Sequence, residues 1–373
     1  MTKKYKNQTE VEEDVASNAG SPVNQIKEYL KQHKGDHYNF EEEKHYVVSS
    51  GSLLLDIEMG GGIRPGIIRA SGVAEGGKTS CALSFGRNFQ NLENSMVIYI
   101  KSEGRLSNEI VSRSGINTDE TKWFVFKCNV YETVIDFIRQ MVKDNPTETK
   151  YMFIIDSMDA LIPKGDMEKR ADEAVKVAGG SLLTSDFLKR MALGLGTRGH
   201  VCYMISQVRS KVQINPYEKG DPRLTNASGG NAIYHYSDWI LEFQPRFVRD
   251  LITTEANGKG DMLGHWCKVV FRKTTNEKTG AEVKYPICYK RTGGNSIWVE
   301  YEIVDMLLAW EMAVAKGAWV TISDEIIKDV QKDINVEFKK QHQGMDNLRK
   351  YIEENKEIGK YLFNKFRDVL KKS

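Results

Sequence analysis

The sequence predicts an α/β protein whose core has a mostly parallel central sheet flanked by helices. A glycine-rich stretch at residues 72–79 follows a short strand-like run and precedes a helix-like segment, which is the frame of a phosphate loop. Downstream, apolar runs of strand length alternate with helical patterns, as is typical of a parallel sheet. A small N-terminal helical arm and a small α-rich C-terminal domain are expected to complete the chain.

The glycine-rich stretch fits the pattern of glycine, four residues and then Gly-Lys-Thr. It consists of Gly72, Val73, Ala74, Glu75, Gly76, Gly77, Lys78 and Thr79, with Ser80 opening the helix behind it. Glycines let successive backbone N–H groups turn inward around an anion, and the helix N-terminus faces the same phosphate. Lys78 would reach the β- and γ-phosphates, and the Thr79 hydroxyl would bind Mg²⁺. The alternative, a flexible glycine-rich turn, is disfavoured by the strand–loop–helix frame.

The predicted strands cover residues 66–71, 96–100, 123–126, 151–156, 200–207, 239–243, 266–271 and 282–289. Several are continuous apolar runs, as at residues 96–100, which indicates strands buried on both faces. The last one alternates in the manner of an antiparallel strand. Apolar residues at helical spacing predict a helix over residues 130–143.

Composition limits the class of protein. The chain has 373 residues, 40% of them hydrophobic and 28% charged, with a formal net charge of +2. This balance is ordinary for a soluble protein and neither requires nor excludes nucleic acid. No apolar run is long enough for a membrane span, and no signal peptide is visible. Five single cysteines indicate reduced thiols, so we expect a cytoplasmic protein without a membrane partner.

Changes of composition along the chain predict three regions. Residues 1–45 hold a polar tail and one short amphipathic helix after Pro22. Residues 46–320 form the ATPase core. Residues 321–373 are rich in charge with sparse apolar positions, which is typical of a small helical appendage.

Two carboxylates follow predicted strands, at the edge where parallel sheets bind ligands. Asp156 ends its strand and would hold Mg²⁺ directly or through water. Glu103 follows the strand at residues 96–100 and could polarise the attacking water as a general base. Each has a structural alternative, because a strand-ending Asp often forms a turn and a strand-end Glu is often only a solvated charge.

A long polar segment begins at Gln207, where the strand at residues 200–207 ends. Residues 208–228 have no apolar periodicity, and a loop of this length inside a compact domain is usually functional or disordered. Its basic residues, which suit a nucleic-acid backbone, are Arg209, Lys211, Lys219 and Arg223. A second charged segment at residues 164–180 mixes both signs, and a solvated surface is an equally good interpretation there.

In combination, these motifs resemble the RecA recombinase family over residues 45–320. The five segments that match in order are residues 50–56, 72–79, 154–164, 205–211 and 229–232. The last is Gly-Gly-Asn-Ala, which closes the family's second DNA-binding loop and which a generic phosphate-loop ATPase has no reason to carry. The resemblance implies a RecA-like core that binds ATP and Mg²⁺.

The resemblance also implies a homo-oligomeric helical filament on single-stranded DNA that exchanges strands with homologous double-stranded DNA. Glu103 would activate water, Gln207 would sense the γ-phosphate, and the N-terminal helix would serve oligomerisation. ATP would then order the DNA-binding loop and hydrolysis would release it. The resemblance implies DNA-binding roles for Lys189, Arg190, Arg209, Lys211, Gly229, Gly230 and Asn231. The composition of the polar segment adds Lys219 and Arg223.

The sequence departs from the family pattern at several positions. Two family lysines that reach ATP across the subunit interface correspond to Phe271 and Lys273, with Arg272 between them as a candidate substitute. The adenine-contacting Asp and Tyr correspond to Ser107 and Ile110. Such drift indicates a divergent bacterial-type member, with a phage origin as one interpretation.

Three functions are compatible with this core. The first is a DNA-dependent ATPase that acts as a homologous recombinase, the second a mediator or regulator that binds ATP and a protein partner, and the third a ring-forming helicase or motor. The intact Lys78, Thr79, Glu103 and Asp156 argue against an inactive ATPase. The long loop closed by Gly-Gly argues for DNA in a filament groove, so the sequence favours the recombinase.

Overall fold

The computed structural model describes residues 21–104, 106–167, 179–210, 225–227, 230–255 and 260–372. The backbone divides into two compact units, residues 1–43 and 44–373. In the first unit, α1 (Pro22–Gln32) begins after Ser21, whose hydroxyl caps the first turn, with proline at the first helical position. The helix predicted after Pro22 is therefore confirmed, and its Ile26 and Tyr29 are exposed.

The second unit is built on a central sheet. Its strands are β1 (Gly66–Gly72), β2 (Ser95–Lys101), β3 (Trp123–Lys127), β4 (Lys150–Asp156), β5 (Val201–Ser210), β6 (Thr225–Ala227), β7 (Trp239–Phe243), β8 (Leu251–Thr253), β9 (Met262–Lys273) and β10 (Glu282–Cys288). The order across the sheet is β10-β9-β7-β1-β5-β4-β2-β3, with β6 paired to β5 and β8 to β9. The strands from β7 to β3 run parallel, whereas β9 and β10 are antiparallel. The predicted mostly parallel sheet is confirmed.

Helices cover both faces of this sheet. They are α2 (Leu53–Glu58), α3 (Lys78–Phe89), α4 (Asn108–Ser114), α5 (Tyr131–Lys143), α6 (Lys164–Met167), α7 (Gly179–Thr197) and α8 (Gly230–Tyr236). Ile68 packs with Phe85 of α3 on one face, while its neighbour Ile67 packs with Ile138 of α5 and Leu188 of α7 on the other. Burial on both faces explains why the strands are continuous apolar runs. No helix among the described residues has the length and apolar character needed to cross a bilayer.

The register of the parallel strands brings their carboxyl ends to one edge. Strand β1 lies between β5 and β7, and its last residue Gly72 pairs with Gln207 on β5 and Phe243 on β7. Two strands away, Asp156 at the end of β4 pairs with Lys101 at the end of β2. The phosphate loop, Asp156 and Gln207 therefore share the edge at which parallel sheets bind ligands.

The segment after Gln207 is more regular than predicted. Strand β5 continues to Ser210, and β6 returns antiparallel to it, with Val208 opposite Ala227 and Ser210 opposite Thr225. The expectation of a structureless loop from residue 208 is wrong at both of its ends. The ribbon pairs only three residues of each strand, which is too short a run for an alternating pattern to be recognised in the sequence.

The C-terminal part contains a second sheet as well as helices. Its elements are α9 (Val299–Ala309), β11 (Ala313–Lys316), β12 (Trp319–Ile322), α10 (Asp324–Ile334), β13 (Gln341–Gln343), α11 (Gly344–Glu354) and α12 (Lys356–Lys372). The strand order is β11-β12-β13, and Val320, Leu348 and Leu362 form one hydrophobic cluster with Ile303 of α9. Residue 321 lies inside β12 and the cluster extends across it. The three-region division stays a prediction.

A buried carboxylate ties α9 to the start of the core. The side chain of Glu302 accepts hydrogen bonds from the Ser52 hydroxyl at 2.5 Å and from the Leu53 backbone N–H at 2.7 Å, at the first turn of α2. Glu302 is fully buried, and this burial raises its pKa to about 8. Unpaired N–H groups at a helix N-terminus attract such an acceptor, so Glu302 anchors the C-terminal part to the core.

The cysteines match the expectation of unpaired thiols. All five are free, with Cys81, Cys202 and Cys267 buried and the other two half-buried. Burial raises the pKa of Cys81 and of Cys202 to about 12, which disfavours the reactive thiolate. These thiols therefore contribute to packing.

Candidate functional site

The phosphate loop connects β1 directly to α3, and glycine shapes it. Gly72 ends β1 with a φ of 146°, and Gly77 precedes α3 with a φ of 100°, both in the region that favours glycine. A Cβ on Gly72 would lie 2.4 Å from the carbonyl oxygen of Phe243, so β7 leaves no room for a larger residue. The exposed tip of the loop consists of Val73, Ala74 and Glu75. The loop thus exposes backbone in front of the N-terminus of α3, as anion binding requires.

The side chain of Lys78 folds back into this loop. Its Nζ donates to the carbonyl oxygens of Gly72 at 3.0 Å and Val73 at 2.6 Å, and the residue is buried. Burial lowers the pKa of Lys78, whereas the carboxylates of Asp156 and Glu103 act in the opposite direction. A bound phosphate could therefore replace the two carbonyl oxygens that the Lys78 ammonium now contacts.

Asp156 accepts hydrogen bonds from side chains of two other elements. The Thr79 hydroxyl on α3 donates at 2.8 Å and the Tyr99 hydroxyl on β2 at 2.5 Å, both to Oδ2. Within the described residues, no group of three His, Cys, Asp or Glu side chains could hold a metal. One carboxylate beside one hydroxyl fits Mg²⁺, which keeps several waters and takes further oxygens from phosphates. These donors and the glycine-shaped loop therefore fit Mg²⁺ with a nucleoside triphosphate.

Glu103 and Gln207 meet across the same edge. The side-chain amide of Gln207 donates to Oε1 of Glu103 at 3.2 Å, and both side chains are exposed. The backbone N–H of Gln207 donates to Oδ2 of Asp159 at 2.5 Å. Asp159 lies in the 3₁₀ turn Met158–Ala160 that follows β4. The turn after β4 and the end of β5 are thus joined through Gln207, which also contacts Glu103.

Three charged side chains lie on β1, β7 and β9, near the phosphate loop. Arg69 is buried on β1, and its Nε donates to the Ser206 hydroxyl on β5 at 2.9 Å. On β7, Glu242 accepts two hydrogen bonds from Arg272 of β9, at 2.7 and 3.0 Å. Burial lowers the pKa of Arg69, and the charges of Asp159 and Glu242 oppose that shift. These strands therefore carry compensated charges beside the phosphate loop.

The two positions that correspond to the family's interface lysines differ in environment. Phe271 is fully buried, with its ring centroid 5.7 Å from that of Trp239. The Nζ of Lys273 donates to the carbonyl oxygens of Tyr234 at 2.8 Å and His235 at 2.7 Å, at the end of α8. Within one chain, Lys273 therefore contacts α8 rather than the phosphate loop, and its nucleotide role stays a prediction.

The predicted DNA-binding residues are only partly within the described structure. Lys189 and Arg190 lie exposed on α7, where Arg190 pairs with Asp186 at 2.9 Å. Arg209 lies on β5 opposite Asn226 of β6. The residues Gly230 and Asn231 open α8, whereas Lys211, Lys219, Arg223 and Gly229 lie outside the described residues.

Comparison with known proteins decides the family. The family model described as the RecA N-terminal domain matches residues 27–291. The chain is a member of the RecA family. Protein RecA of Bordetella pertussis is 27% identical over 325 residues, which cover 86% of this chain and 81% of that protein. Protein RecA of Rippkaea orientalis is 26% identical over 325 residues, which cover 87% and 83%. The resemblance drawn from the motifs is confirmed. Sequence identities of 26% and 27% show that this RecA-family protein is divergent.

Sequence reasoning missed three side chains that contact this RecA-family site. Tyr99 and Arg69 are polar side chains inside buried strands, and such groups need a partner, which is a signal visible in the sequence. Asp159 belongs to the matched motif, but nothing in its spacing indicates a bond to the backbone of Gln207. Their partners depend on the strand order, which the sequence pattern does not specify.

Proposed function

We propose that this chain is a DNA-dependent ATPase that polymerises on single-stranded DNA and promotes homologous pairing and strand exchange with double-stranded DNA in the cytoplasm. The observation that carries the proposal is the 3.2 Å contact between Gln207 and Glu103. Gln207 is also the residue at which β5 passes the sheet edge and enters the ribbon with β6. Gln207 thus belongs to the nucleotide site and also leads into the polar segment, residues 208–228, that carries the basic residues.

The residues at the sheet edge would have different roles in ATP binding and hydrolysis. Lys78 and the N–H groups of the loop would hold the phosphates, and Thr79 with Asp156 would hold Mg²⁺. Mg²⁺, when bound, neutralises charge on the phosphate oxygens. Glu103 would orient and polarise the attacking water, because it is an exposed carboxylate at the carboxyl edge of the sheet. The contact of Lys78 with the loop carbonyl oxygens and the hydrogen bond from Thr79 to Asp156 support this division.

Gln207 would link the nucleotide state to DNA binding. Its side-chain amide donates to Glu103 at 3.2 Å, a long contact that a γ-phosphate oxygen could replace. The backbone N–H of the same residue is held by Asp159. Reorientation of Gln207 would therefore act directly on the β5–β6 ribbon, giving a two-state element that ATP orders and hydrolysis releases.

Polymerisation would supply further cations to the site. Arg272 and Lys273 on β9 are the candidates to reach the ATP of a neighbouring subunit. Within one chain Arg272 is paired with Glu242, and Lys273 contacts the carbonyl groups at the end of α8. Each of these cations would have to exchange an intrachain partner for phosphate, so transition-state stabilisation would depend on assembly.

The experiment that tests the function is ATP hydrolysis with and without single-stranded DNA, with the same samples imaged by negative-stain electron microscopy. We expect DNA to stimulate hydrolysis and helical filaments to form with ATP. Rings with a central pore would favour a motor. ATP binding with neither stimulation nor filaments would favour a mediator or regulator.

We expect the basic residues of the polar segment 208–228 to dominate the salt dependence of DNA binding. Replacing Arg209, Lys211 and Arg223 together with alanine should weaken binding to single strands, since three phosphates lose their cation. The association constant should also depend less steeply on salt: the magnitude of the slope of its logarithm against log salt concentration should decrease by about two. A control triple substitution of Lys127, Arg139 and Lys143, which are exposed on β3 and α5, removes the same charge. Equal slopes for both triple variants would move the DNA site away from this loop.

A further inference from the structure

The buried hydroxyl of Tyr99 contacts the carboxylate assigned to Mg²⁺. Tyr99 is 3% exposed on β2, between aliphatic neighbours that are also buried. Its ring is tilted against that of Trp123, with centroids 5.7 Å apart, so its orientation is fixed by packing. A buried tyrosine hydroxyl needs a hydrogen-bond partner, and here the partner is Oδ2 of Asp156 at 2.5 Å.

The strand register explains how this contact arises. Tyr99 pairs with Ile154 and Lys101 with Asp156, so Tyr99 lies two residues before the residue opposite Asp156. Residues two apart on a strand point to the same face, and this is the face against which α3 packs. The Tyr99 hydroxyl thus reaches the carboxylate along the sheet, while Thr79 reaches it from α3.

Both hydrogen bonds that the Asp156 side chain makes within the described part of the chain fall on one oxygen. Thr79 and Tyr99 donate to Oδ2. A tyrosine hydroxyl can donate one hydrogen bond, and Tyr99 donates its bond to this oxygen. Unlike Thr79, which is itself a candidate metal ligand, Tyr99 lies in the core, where its ring packs against Trp123.

We propose that Tyr99 is a positioning residue for the divalent cation, which holds Oδ2 of Asp156 and thereby orients Oδ1 toward the metal or its water. The proposal rests on the function proposed above, in which Asp156 holds Mg²⁺. Hydrogen bonds to ligating carboxylates fix their orientation, and losing one commonly weakens metal affinity. Tyr99 need not touch nucleotide to set the Mg²⁺ requirement of the site.

The test is Tyr99→Phe, which keeps the ring and removes the hydroxyl. ADP binding is measured by calorimetry over a range of free Mg²⁺ concentrations and again in EDTA. We expect the Mg²⁺ concentration for half-maximal enhancement of ADP binding to rise about tenfold, because an outer-shell partner of a metal ligand is lost. ADP affinity in EDTA should not change, since the phosphate loop is untouched.

Tyr131→Phe is the matched control. Tyr131 is also 3% exposed, and its hydroxyl donates to the Thr184 hydroxyl at 3.0 Å on the opposite face of the sheet. Both variants lose one buried hydrogen bond and should lose some thermal stability, but Tyr131→Phe should keep the wild-type Mg²⁺ midpoint.

Two results would overturn the inference. One is an unchanged Mg²⁺ midpoint in Tyr99→Phe, and the other is a lowered midpoint, which would mean that the hydroxyl competes with the metal. If the wild-type protein binds ADP without any Mg²⁺ dependence, the role proposed for Asp156 fails and the role of Tyr99 fails with it. If the wild type responds to Mg²⁺ and only the Tyr99 shift is missing, the proposed function survives without this inference.

Discussion

Replacing Lys78 with alanine is expected to abolish ATP turnover while leaving the fold intact. The Lys78 ammonium is the buried cation of the phosphate loop and lies within hydrogen-bond distance of the Gly72 and Val73 carbonyl oxygens. Without it, the charge that develops on the phosphates would lose the one cation that the phosphate loop itself supplies. Removing one donor that stabilises a developing charge costs roughly 10²–10³-fold in rate, and here a full positive charge is also lost. Phosphate release from ATP, measured with DNA present, checks this outcome.

The thermal stability of the nucleotide-free protein separates this effect from unfolding. Burial lowers the pKa of Lys78, which means that the folded protein disfavours the charged form. Lys78→Ala should therefore keep or raise the melting temperature without nucleotide, as is common where function requires a destabilising group. Its melting temperature should no longer respond to ATP.

Lys122→Ala is the matched control, because Lys122 serves the other end of α3. Its Nζ donates to the carbonyl oxygens of Gln90 at 3.2 Å and Leu92 at 3.5 Å, just past the C-terminus of the helix. Its loss should lower stability slightly and leave turnover unchanged. Wild-type turnover in Lys78→Ala would remove the phosphate loop from the mechanism.

The parts of the fold that follow from local sequence could be predicted. Strands buried on both faces must be apolar throughout, so the runs at residues 96–100 and 151–156 appear in β2 and β4 with small changes at their ends. The glycine loop could be identified because only glycine tolerates the backbone at Gly72 and Gly77. Both features depend on residues close together in the chain.

The contacts that complete the site could not be predicted, because they join residues far apart in the chain. Thr79 meets Asp156 because β1 and β4 lie on either side of β5, and Arg69 meets Ser206 because β1 and β5 are neighbours. Strand order is set by packing of the whole domain, and apolar patterns do not encode it. Arg272 illustrates the same point, since its carboxylate partner on β7 is visible only in the folded chain.

Glu103→Gln is expected to leave ATP bound but hydrolysed far more slowly. The change removes the negative charge that would polarise water and keeps the size of the side chain. The substituted amide oxygen can still accept the hydrogen bond that Gln207 now donates to Oε1 at 3.2 Å, so the connection to the β5–β6 ribbon should persist. Loss of a general base commonly costs about 10²–10⁴-fold in rate. Single-turnover phosphate release should fall by this amount, while the affinity for a fluorescent ATP analogue should stay near that of the wild type.

The lifetime of DNA-bound filaments connects this chemistry to the proposed switch. If ATP orders the DNA-binding loop, a protein that binds ATP without hydrolysing it should stay on single-stranded DNA longer after dilution. Glu109→Gln is the control, because it removes an exposed carboxylate of the helix that follows, where Glu109 pairs with Arg113 at 2.6 Å. Such a surface pair contributes about 0.3–0.5 kcal/mol, so hydrolysis and filament lifetime should not change. Hydrolysis at the wild-type rate in Glu103→Gln would place the base elsewhere. Slow hydrolysis with short-lived filaments would instead separate the ATPase from the DNA switch, and Gln207 would no longer be the link between them.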